Sequence, residues 1–426
     1  MNHSFFKRFK EGLVDSLYIW RQEMKNTFTD AGMLIFFILV PLFYPLLYSF
    51  IYNQEVVRDV PVVVVDQSHS SLSREFIRKI NASGDLNVVS YCNDLKEVKE
   101  ALRRKDAYGA ILIPPDFSDQ INKGIQTHVT IYCDMVCMLY YKAMLTNCTD
   151  VSLDMNKSIK IKRMGKYTQE DEKVNSTPME YTSVALFNPQ TGFASFLIPA
   201  VLILILQQTL LLGVGMSAGT ARERNRHHDL ITIGDHTNGS MRIVIGKSLA
   251  YFMIYIVMST YVLCAVPHFF NLIQLASFGT IIAFLIPYLL ACIFFAMTLS
   301  ATIRNRETCI LIFVFTSVPV LFLSGISWPG AAIPTFWKVI SWIVPSTFGI
   351  NGYVHINTMG ASLGEISYEY LMLWLQAAFY FITTCLVYYY QILISRGYTD
   401  KRILRYMIGM SSRKRKKNKT INTLHS

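Results

Sequence analysis

Hydrophobic and polar positions divide the chain into one long apolar run, a polar stretch over 53–188, and about five further apolar runs. The first run, Met33–Ile51, contains no charged residue. A helix needs about 20 residues to cross the ~30 Å hydrocarbon core of a membrane. The pattern therefore predicts six membrane-spanning helices, near 31–52, 192–217, 248–267, 279–303, 308–325 and 370–395.

The polar stretch alternates short β-rich runs with helical patterns, which is typical of a small α/β domain. Strands are predicted at 61–66, 86–92, 110–114 and 128–134, and helices at 70–81, 94–105, 116–123 and 138–165, with an exposed loop at 166–180. The fold class that follows is an α-helical polytopic membrane protein of about six transmembrane helices with an inserted α/β domain.

Two further segments flank the spans. Residues 1–30 predict an amphipathic helix, because Phe6, Phe9, Leu13, Leu17, Trp20, Met24 and Phe28 fall on one face at helical spacing. Such a helix can lie in the membrane interface or pack on the protein itself. The apolar stretch 326–369 carries three tryptophans and is cut by prolines. It predicts a broken or re-entrant helical hairpin that is buried in protein.

The net charge is +11, and its placement predicts the topology. Basic residues precede the first span, recur between the second and third spans, and fill the tail 397–426. The positive-inside rule then places both termini in the cytoplasm, so 53–188 is expected to be extracytoplasmic. The basic run Arg413–Lys419 suggests nucleic acid or anionic lipid, and beside a final span we interpret it as contacting lipid rather than nucleic acid.

Catalytic and metal-binding patterns are weak in this sequence. Gly246-Lys247-Ser248 resembles part of a phosphate-binding loop, but position 241 is Met where that loop needs Gly, so we interpret Lys247 as a helix-end anchor. His227, His228 and Asp229 lack a second ligand cluster, so no metal site is predicted. No catalytic residues are predicted, which makes a membrane enzyme the least favoured class.

The cysteines and the span interiors leave alternatives open. Cys92, Cys133, Cys137 and Cys148 fall in the polar domain and allow three disulfide pairings, among which the sequence does not choose. The predicted spans contain almost no ionisable residue, which disfavours proton- or sodium-driven transport. Their polar residues Gln207, Gln208, Thr209 and Thr316 are candidates for lining a pathway or for bonding helix to helix.

Four strings, in this order and spacing, resemble the permease subunits of type-2 ATP-binding-cassette (ABC) exporters. They are VVVVDQSHSSLSREFIRKINAS, FNPQTGFASFLIPAVLILIL, TARERNRHHDLITIGDHTNGSMRIVIGK and the stretch 321–363. The third string resembles that family's cytoplasmic coupling segment, placed here at 218–247. The resemblance covers nearly the whole chain and is closest to the branch with a large extracytoplasmic domain after the first span.

The resemblance implies export of a drug or lipid across the bacterial inner membrane. It implies two permease chains, identical or paired, with separate cassette ATPase subunits that bind ATP and Mg²⁺, so this chain would hold no cofactor. A periplasmic adaptor and an outer-membrane channel serve some relatives. The implied ATPase contacts are Arg222, Glu223, Arg224, Arg226 and Asp229. The alternative is a membrane receptor or scaffold whose external domain binds an envelope ligand or protein.

Overall fold

The computed structural model describes residues 2–53, 56–164, 186–189, 192–223, 239–303, 305–328 and 330–395. The chain divides into two compact units, one of Met1–Asn53 with Gly192–Ser426 and the other of Gln54–Thr191. The described residues contain six helices that are long and apolar enough to cross a membrane, and a four-stranded sheet. These features confirm the predicted fold class.

The first unit begins with helix α1, Asn2–Thr29, followed directly by α2, Ala31–Ile51. Asp30 separates them: its Oδ1 atom accepts the backbone N–H of Gly32 at 3.0 Å and of Met33 at 3.4 Å. A carboxylate in this position satisfies backbone donors that the first turn of a helix leaves free. Asp30 therefore ends one helix and begins the first membrane helix.

The second unit is a mixed sheet in the order β2-β1-β3-β4. Its strands are β1 Val60–Asp66, β2 Leu86–Tyr91, β3 Gly109–Ile113 and β4 Thr130–Cys133, of which only β4 runs antiparallel to its neighbour. The helices are α3 Ser71–Asn81, α4 Leu95–Arg104, α5 Phe117–Lys123 and α6 Met138–Met164. All eight elements predicted between 61 and 165 are present. The predicted loop 166–180 lies outside the described residues.

The run of valines in β1 explains why this strand is central. Val62 and Val64 face the cluster formed with α3 and α6, whereas Val63 and Val65 face the cluster formed with α4. Each is at most 1% exposed. A strand covered on both faces reads as a continuous apolar run rather than an alternating one.

The chain then completes the first unit with seven helices among the described residues. These are α7 Phe193–Glu223, α8 Gly239–Phe269, α9 Phe278–Leu299, α10 Arg306–Leu323, α11 Thr335–Ser341, α12 Pro345–Met359 and α13 Ser367–Ser395. Helix α7 is almost wholly buried, with α2, α9, α10 and α12 packed on it. Helix α10 is mostly exposed. The bundle is therefore built around α7.

Two helices are longer than the sequence predicted, and for that reason the interpretation of Lys247 as a helix-end anchor was wrong. Helix α7 continues past 217 to Glu223, and α8 begins at Gly239 rather than near 248. The predicted spans stopped at the first charges, of which Glu223 and Lys247 pair with Arg306 and Glu23 inside the protein. Lys247 consequently lies within α8, eight residues after Gly239, and is not a helix-end anchor. It is an ionisable residue in the helix that contains the predicted third span.

The predicted hairpin at 326–369 is broken as expected, but only part of it is buried. Helix α12 is largely enclosed, with Ile350, Tyr353 and Ile356 fully buried. Helix α11 exposes Phe336 and Trp337. The expectation of burial was therefore wrong for the first arm. Its side chains are large and amphipathic or apolar, a type that is also found at membrane surfaces.

Candidate functional site

The candidate coupling segment connects α7 to α8, and its central part, 224–238, lies outside the described residues. The predicted contacts Arg224, Arg226 and Asp229 belong to that part. Arg222 and Glu223 are the last residues of α7. The structure does describe how the two ends of the segment are held, and each end has its own polar network.

The first network holds the end of α7. The backbone N–H of Arg306 donates to Oε1 of Glu223 at 3.0 Å, and Arg306 Nε lies 3.7 Å from Glu223 Oε2. The other branch of the guanidinium donates to Oδ2 of Asp30 at 2.5 Å. Thr220 also donates to Asp30 Oδ2, at 3.4 Å. The starts of α2 and α10 and the end of α7 are thereby joined through one arginine.

The second network holds α8 against α1 and is enclosed in the bundle. Lys247 Nζ lies 3.2 Å from Glu23 Oε2, and the two side chains are 17% and 5% exposed. Ser217 of α7 donates to Glu23 Oε1 at 2.9 Å, and the Tyr251 hydroxyl donates to the same oxygen. The Glu23 carboxylate therefore bonds to three side chains from two helices.

The charge state of Glu23 follows from these partners. Burial by itself would raise the pKa of this carboxyl. The nearby Lys247 charge and the hydrogen bonds from Tyr251, Ser217 and Lys247 outweigh it, so the pKa of Glu23 lies below its usual value. Glu23 is ionised near neutral pH. The pair is thus an ion pair held by hydrogen bonds, the form in which buried charges are tolerated.

A third contact extends the joint between α1 and α8. Arg242 donates to Asp15 Oδ2 at 2.6 Å, and Ser16 Oγ donates to the Arg242 carbonyl oxygen at 3.4 Å. Between the two ion pairs, Gly246 lets the helices touch, since a Cβ there would stand 2.7 Å from the Ser16 carbonyl oxygen. A glycine is required wherever backbones approach this closely.

These contacts determine which face of α1 is covered. Its polar and small side chains lie against α8, and Glu23 and Thr27 are 4% and 0% exposed. The apolar side chains Leu13, Leu17 and Phe28 are exposed on the opposite side. The packed face also includes the apolar residue Ile19, which is 5% exposed, so α1 packs on the protein by a mixed face that carries its acidic residues while several apolar side chains remain outside.

The candidate pathway residue Gln207 already has a structural role. Its Oε1 atom accepts the backbone N–H of Ser346 at 2.6 Å, in the first turn of α12. It also accepts a weak bond from the Cys292 thiol of α9 at 3.8 Å. The residue before α12, Val344, offers no capping side chain, so Gln207 supplies the missing acceptor from another helix.

The other three candidates differ from one another. The Tyr255 hydroxyl of α8 donates to Thr209 Oγ1 at 3.0 Å, which ties α7 to α8. Thr316 donates to its own helix, at the Phe313 carbonyl oxygen, at 3.1 Å. Gln208 is 9% exposed, and both its amide oxygen and its amide nitrogen lack a hydrogen-bond partner. A buried unpaired amide is rare and costs about 1–3 kcal/mol.

Gln208 and Thr316 lie at the same level of the neighbouring helices α7 and α10. A Cβ on Gly215 of α7 would stand 2.3 Å from Cys309 Sγ of α10, which places these two residues in contact. Gln208 and Thr316 each lie seven residues, or two turns of about 10.5 Å in all, from that contact. The direction is the same for both, away from Glu223, so they lie at the same level, Gln208 buried in α7 and Thr316 exposed on α10.

The described residues form neither a disulfide nor a metal-binding group. All eight cysteines of the chain are free thiols, so none of the three open pairings is formed here. Cys148 is buried, and burial raises its pKa to about 12. Within the described ranges there is no group of three or more His, Cys, Asp and Glu side chains that could hold a metal ion.

Three charged residues of the two networks, Glu23, Asp30 and Arg306, escaped the sequence analysis, and Lys247 was interpreted only as a helix-end anchor. A signal did exist. Asp15, Glu23 and Asp30 are acidic residues of an otherwise basic leader, and each meets one of the cations Arg242, Lys247 and Arg306. The sequence shows that charges of opposite sign are present, but not which residues pair, because the pairing depends on tertiary packing.

Comparison with known proteins agrees with this architecture. The sequence matches the family described as ABC-2 family transporter protein over residues 31–386. Comparison with curated proteins finds no match. The family match spans far more than half of the chain and includes nearly all of the membrane helices. The protein therefore belongs to the ABC-2 family of transporters, membrane permease components whose family implies a partner ATPase subunit.

Proposed function

We propose that this protein is the permease of an ATP-driven exporter in the bacterial inner membrane. It moves a hydrophobic or amphiphilic compound, of the drug or lipid class, outward from the cytoplasm or the inner leaflet. Both termini are cytoplasmic in this proposal, and the unit Gln54–Thr191 is extracytoplasmic. ATP and Mg²⁺ bind to a separate cassette ATPase.

The observation that carries the proposal is how the segment 224–238 is anchored. One end continues α7, the buried centre of the bundle, and is tied by Arg306 to α2 and α10. The other end continues α8, which is tied to α1 by two ion pairs. A force applied to this segment would reach five helices, because buried polar networks and rigid helices carry coupling between distant sites. An ATPase docked on the segment could therefore change the arrangement of the bundle.

The α7–α10 seam is the proposed transport pathway. Gln208 of α7 has an unpaired amide, and Thr316 of α10 lies at the same level. A site that is mostly apolar with a few polar groups suits amphiphiles, whose polar part can occupy the free donor and acceptor. Gln207 and Thr209 are assigned to holding α12 and α8, because the Gln207 amide oxygen and the Thr209 hydroxyl already accept hydrogen bonds from those helices.

Further partners are proposed for the exposed surfaces. Helix α10 exposes Leu311, Phe315 and Phe322, a surface that fits a second permease chain, identical or paired, as well as lipid. A periplasmic adaptor and an outer-membrane channel would extend the route for the compound beyond the inner membrane.

The test is reconstitution of the full chain in proteoliposomes with its cassette ATPase, using a panel of fluorescent amphiphiles and lipid analogues. We expect ATP-dependent movement of at least one probe, and none when the phosphate-binding lysine of the ATPase is replaced. A folded chain that binds no cassette ATPase at low salt would overturn the proposal. Ligand binding by Gln54–Thr191 in that case would favour the receptor alternative.

A further inference from the structure

Helix α1 is attached to the bundle in an unusual way for a helix with a strong apolar face. Leu13, Val14, Leu17 and Phe28 are exposed, Ile19 is buried against the bundle, and the contacts of α1 with α8 include two ion pairs, Asp15–Arg242 and Glu23–Lys247. Apolar packing tolerates sliding, because it has no preferred direction. Charge-assisted hydrogen bonds fix the distance and angle between their partners. The joint between α1 and α8 therefore resists relative movement.

Glu23 lies at the centre of this joint. It meets Lys247 and Tyr251 of α8 and Ser217 of α7, and Tyr388 of α13 is close to both charges. Separating α1 from α8 would leave an enclosed carboxylate and an enclosed ammonium without partners, which is strongly unfavourable. Movement that keeps the two helices together avoids that penalty.

The far end of α1 leads to the other network. Only Asp30 separates α1 from α2, and Asp30 binds Arg306, which in turn binds Glu223. The backbone at Asp30 is extended, with φ −91° and ψ 114°, so the two helices are not one continuous rod. Helix α1 thus connects two places. One is α8, which follows the segment 224–238, and the other is the Asp30–Arg306 pair, which holds the end of α7 that precedes the segment.

We infer that Glu23 is a positioning residue for transport, which joins α1 to α8 so that they move as one body and pass motion of the coupling segment to Asp30 and α2. This inference rests on the proposed function. It assigns a role to a side chain that touches neither nucleotide nor the transported compound. Because Glu23 stays ionised, the joint acts by geometry and not by moving a proton.

The test uses the full complex in proteoliposomes and compares wild type with Glu23→Gln, Lys247→Met and the double variant. Three quantities are measured: probe transport, ATP hydrolysis and the thermal midpoint of the permease. We expect each single variant to lower the transport per ATP hydrolysed about fivefold or more, the range of typical coupling effects. ATP hydrolysis itself should persist. Lys79→Met is the control, because it removes an ion pair with Asp154 in the second unit and should leave the ratio unchanged.

A second experiment tests the one-body movement. Asp15→Cys and Arg242→Cys, in a background without other cysteines, place two thiols at the partly exposed end of the joint. These substitutions remove the Asp15–Arg242 ion pair, which the bridge replaces by a covalent link. Bridging with a short bifunctional reagent should not lower transport when Glu23 is intact and should restore transport in Glu23→Gln. Loss of transport on bridging, in a variant that was active before bridging, would mean that α1 and α8 separate during the cycle and would overturn the inference.

The remaining outcomes are also decisive. An unchanged ratio in Glu23→Gln overturns the inference while leaving the exporter proposal intact. A parallel fall in transport, hydrolysis and thermal midpoint assigns Glu23 to folding only and also overturns it. Absence of ATP-dependent transport in the wild type instead contradicts the proposed function itself.

Discussion

Arg306 and Asp30 form an ion pair between α1 and α2, in which the guanidinium nitrogen Nη2 lies 2.5 Å from Oδ2 of Asp30. The Asp30 side chain is only 10% exposed, and its second oxygen caps α2. The Arg306 guanidinium is therefore the cation that pairs with this enclosed carboxylate. The same arginine also donates its backbone N–H to Glu223, the last described residue of α7.

Arg306→Gln should destabilise the permease, because it leaves the enclosed Asp30 carboxylate without its cation. We expect a loss of about 1–3 kcal/mol, measured as thermal unfolding of the purified protein in detergent. Arg103→Gln is the matched control, since its pair with Glu100 is exposed on both sides and such pairs contribute about 0–1 kcal/mol. Equal midpoints for the two variants would contradict the account of this network.

Gly246→Ala should push α1 away from α8. A Cβ at this position would stand 2.7 Å from a backbone oxygen and 2.8 Å from the Ile19 Cβ, and neither can move without shifting a helix. We expect a lower thermal midpoint, by an amount typical of overpacking, about 1–3 kcal/mol. Gly279→Ala is the control, because nothing lies within 4 Å of its Cβ position. It should be neutral or slightly stabilising.

Gln207 and Gln208 should respond differently to the same change. Gln207→Leu leaves the Ser346 N–H without an acceptor, so we expect a loss of stability of about 1–3 kcal/mol. Gln208→Leu removes two unpaired polar atoms, so the thermal midpoint should stay the same or rise, while transport of amphiphilic probes changes. Thermal midpoints and probe transport are measured for both. A large loss of stability with Gln208→Leu would remove this residue from the pathway.

Coupling should not vary with pH between pH 8 and pH 6. The groups that face Glu23 are Lys247, Tyr251, Ser217 and Tyr388, and together they leave the pKa of Glu23 below its usual value. A carboxyl with a lowered pKa contributes stability that is present above its unfolded pKa and is lost only as the pH falls through its folded pKa. Transport per ATP is measured across this range. A fall between pH 8 and pH 6 that disappears in Glu23→Gln would show that Glu23 takes up a proton.

Cys148 should resist alkylation in the folded protein. It is 3% exposed, and burial raises its pKa to about 12, so almost no thiolate is present at pH 7.5. Peptide mapping after treatment with iodoacetamide should find Cys148 unmodified until the protein is denatured. Rapid modification of the native protein would contradict the packing of α6 on the sheet.

Much of this fold could be predicted because the signals are local. A charge-free run long enough to span a membrane, or a valine run such as that of β1, identifies its element without reference to the rest of the chain. The helix ends were less predictable, because charges at 222, 223, 242 and 247 resemble the edge of a span. They lie inside helices, and three of them, Glu223, Arg242 and Lys247, pair with Arg306, Asp15 and Glu23 from distant parts of the sequence.

The candidate site was predictable in part for the same reason. The segment between α7 and α8 stands out as a charged stretch between apolar runs. The residues that anchor it lie 190 positions away for the pair Thr220–Asp30 and 83 positions away for the pair Glu223–Arg306, and such pairings arise only from packing. The separate roles of Gln207 and Gln208 were equally hidden, since neighbouring glutamines on a helix face different surroundings.

The most direct test of the central claim is photo-crosslinking from the coupling segment in living cells. A photoreactive amino acid is placed at Arg226, and for comparison at Val136, a highly exposed residue of the second unit. The account predicts a covalent product with a cassette ATPase from position 226 and none from position 136. A full-length, membrane-inserted protein that gives no ATPase product at 224, 226 or 229 would contradict it.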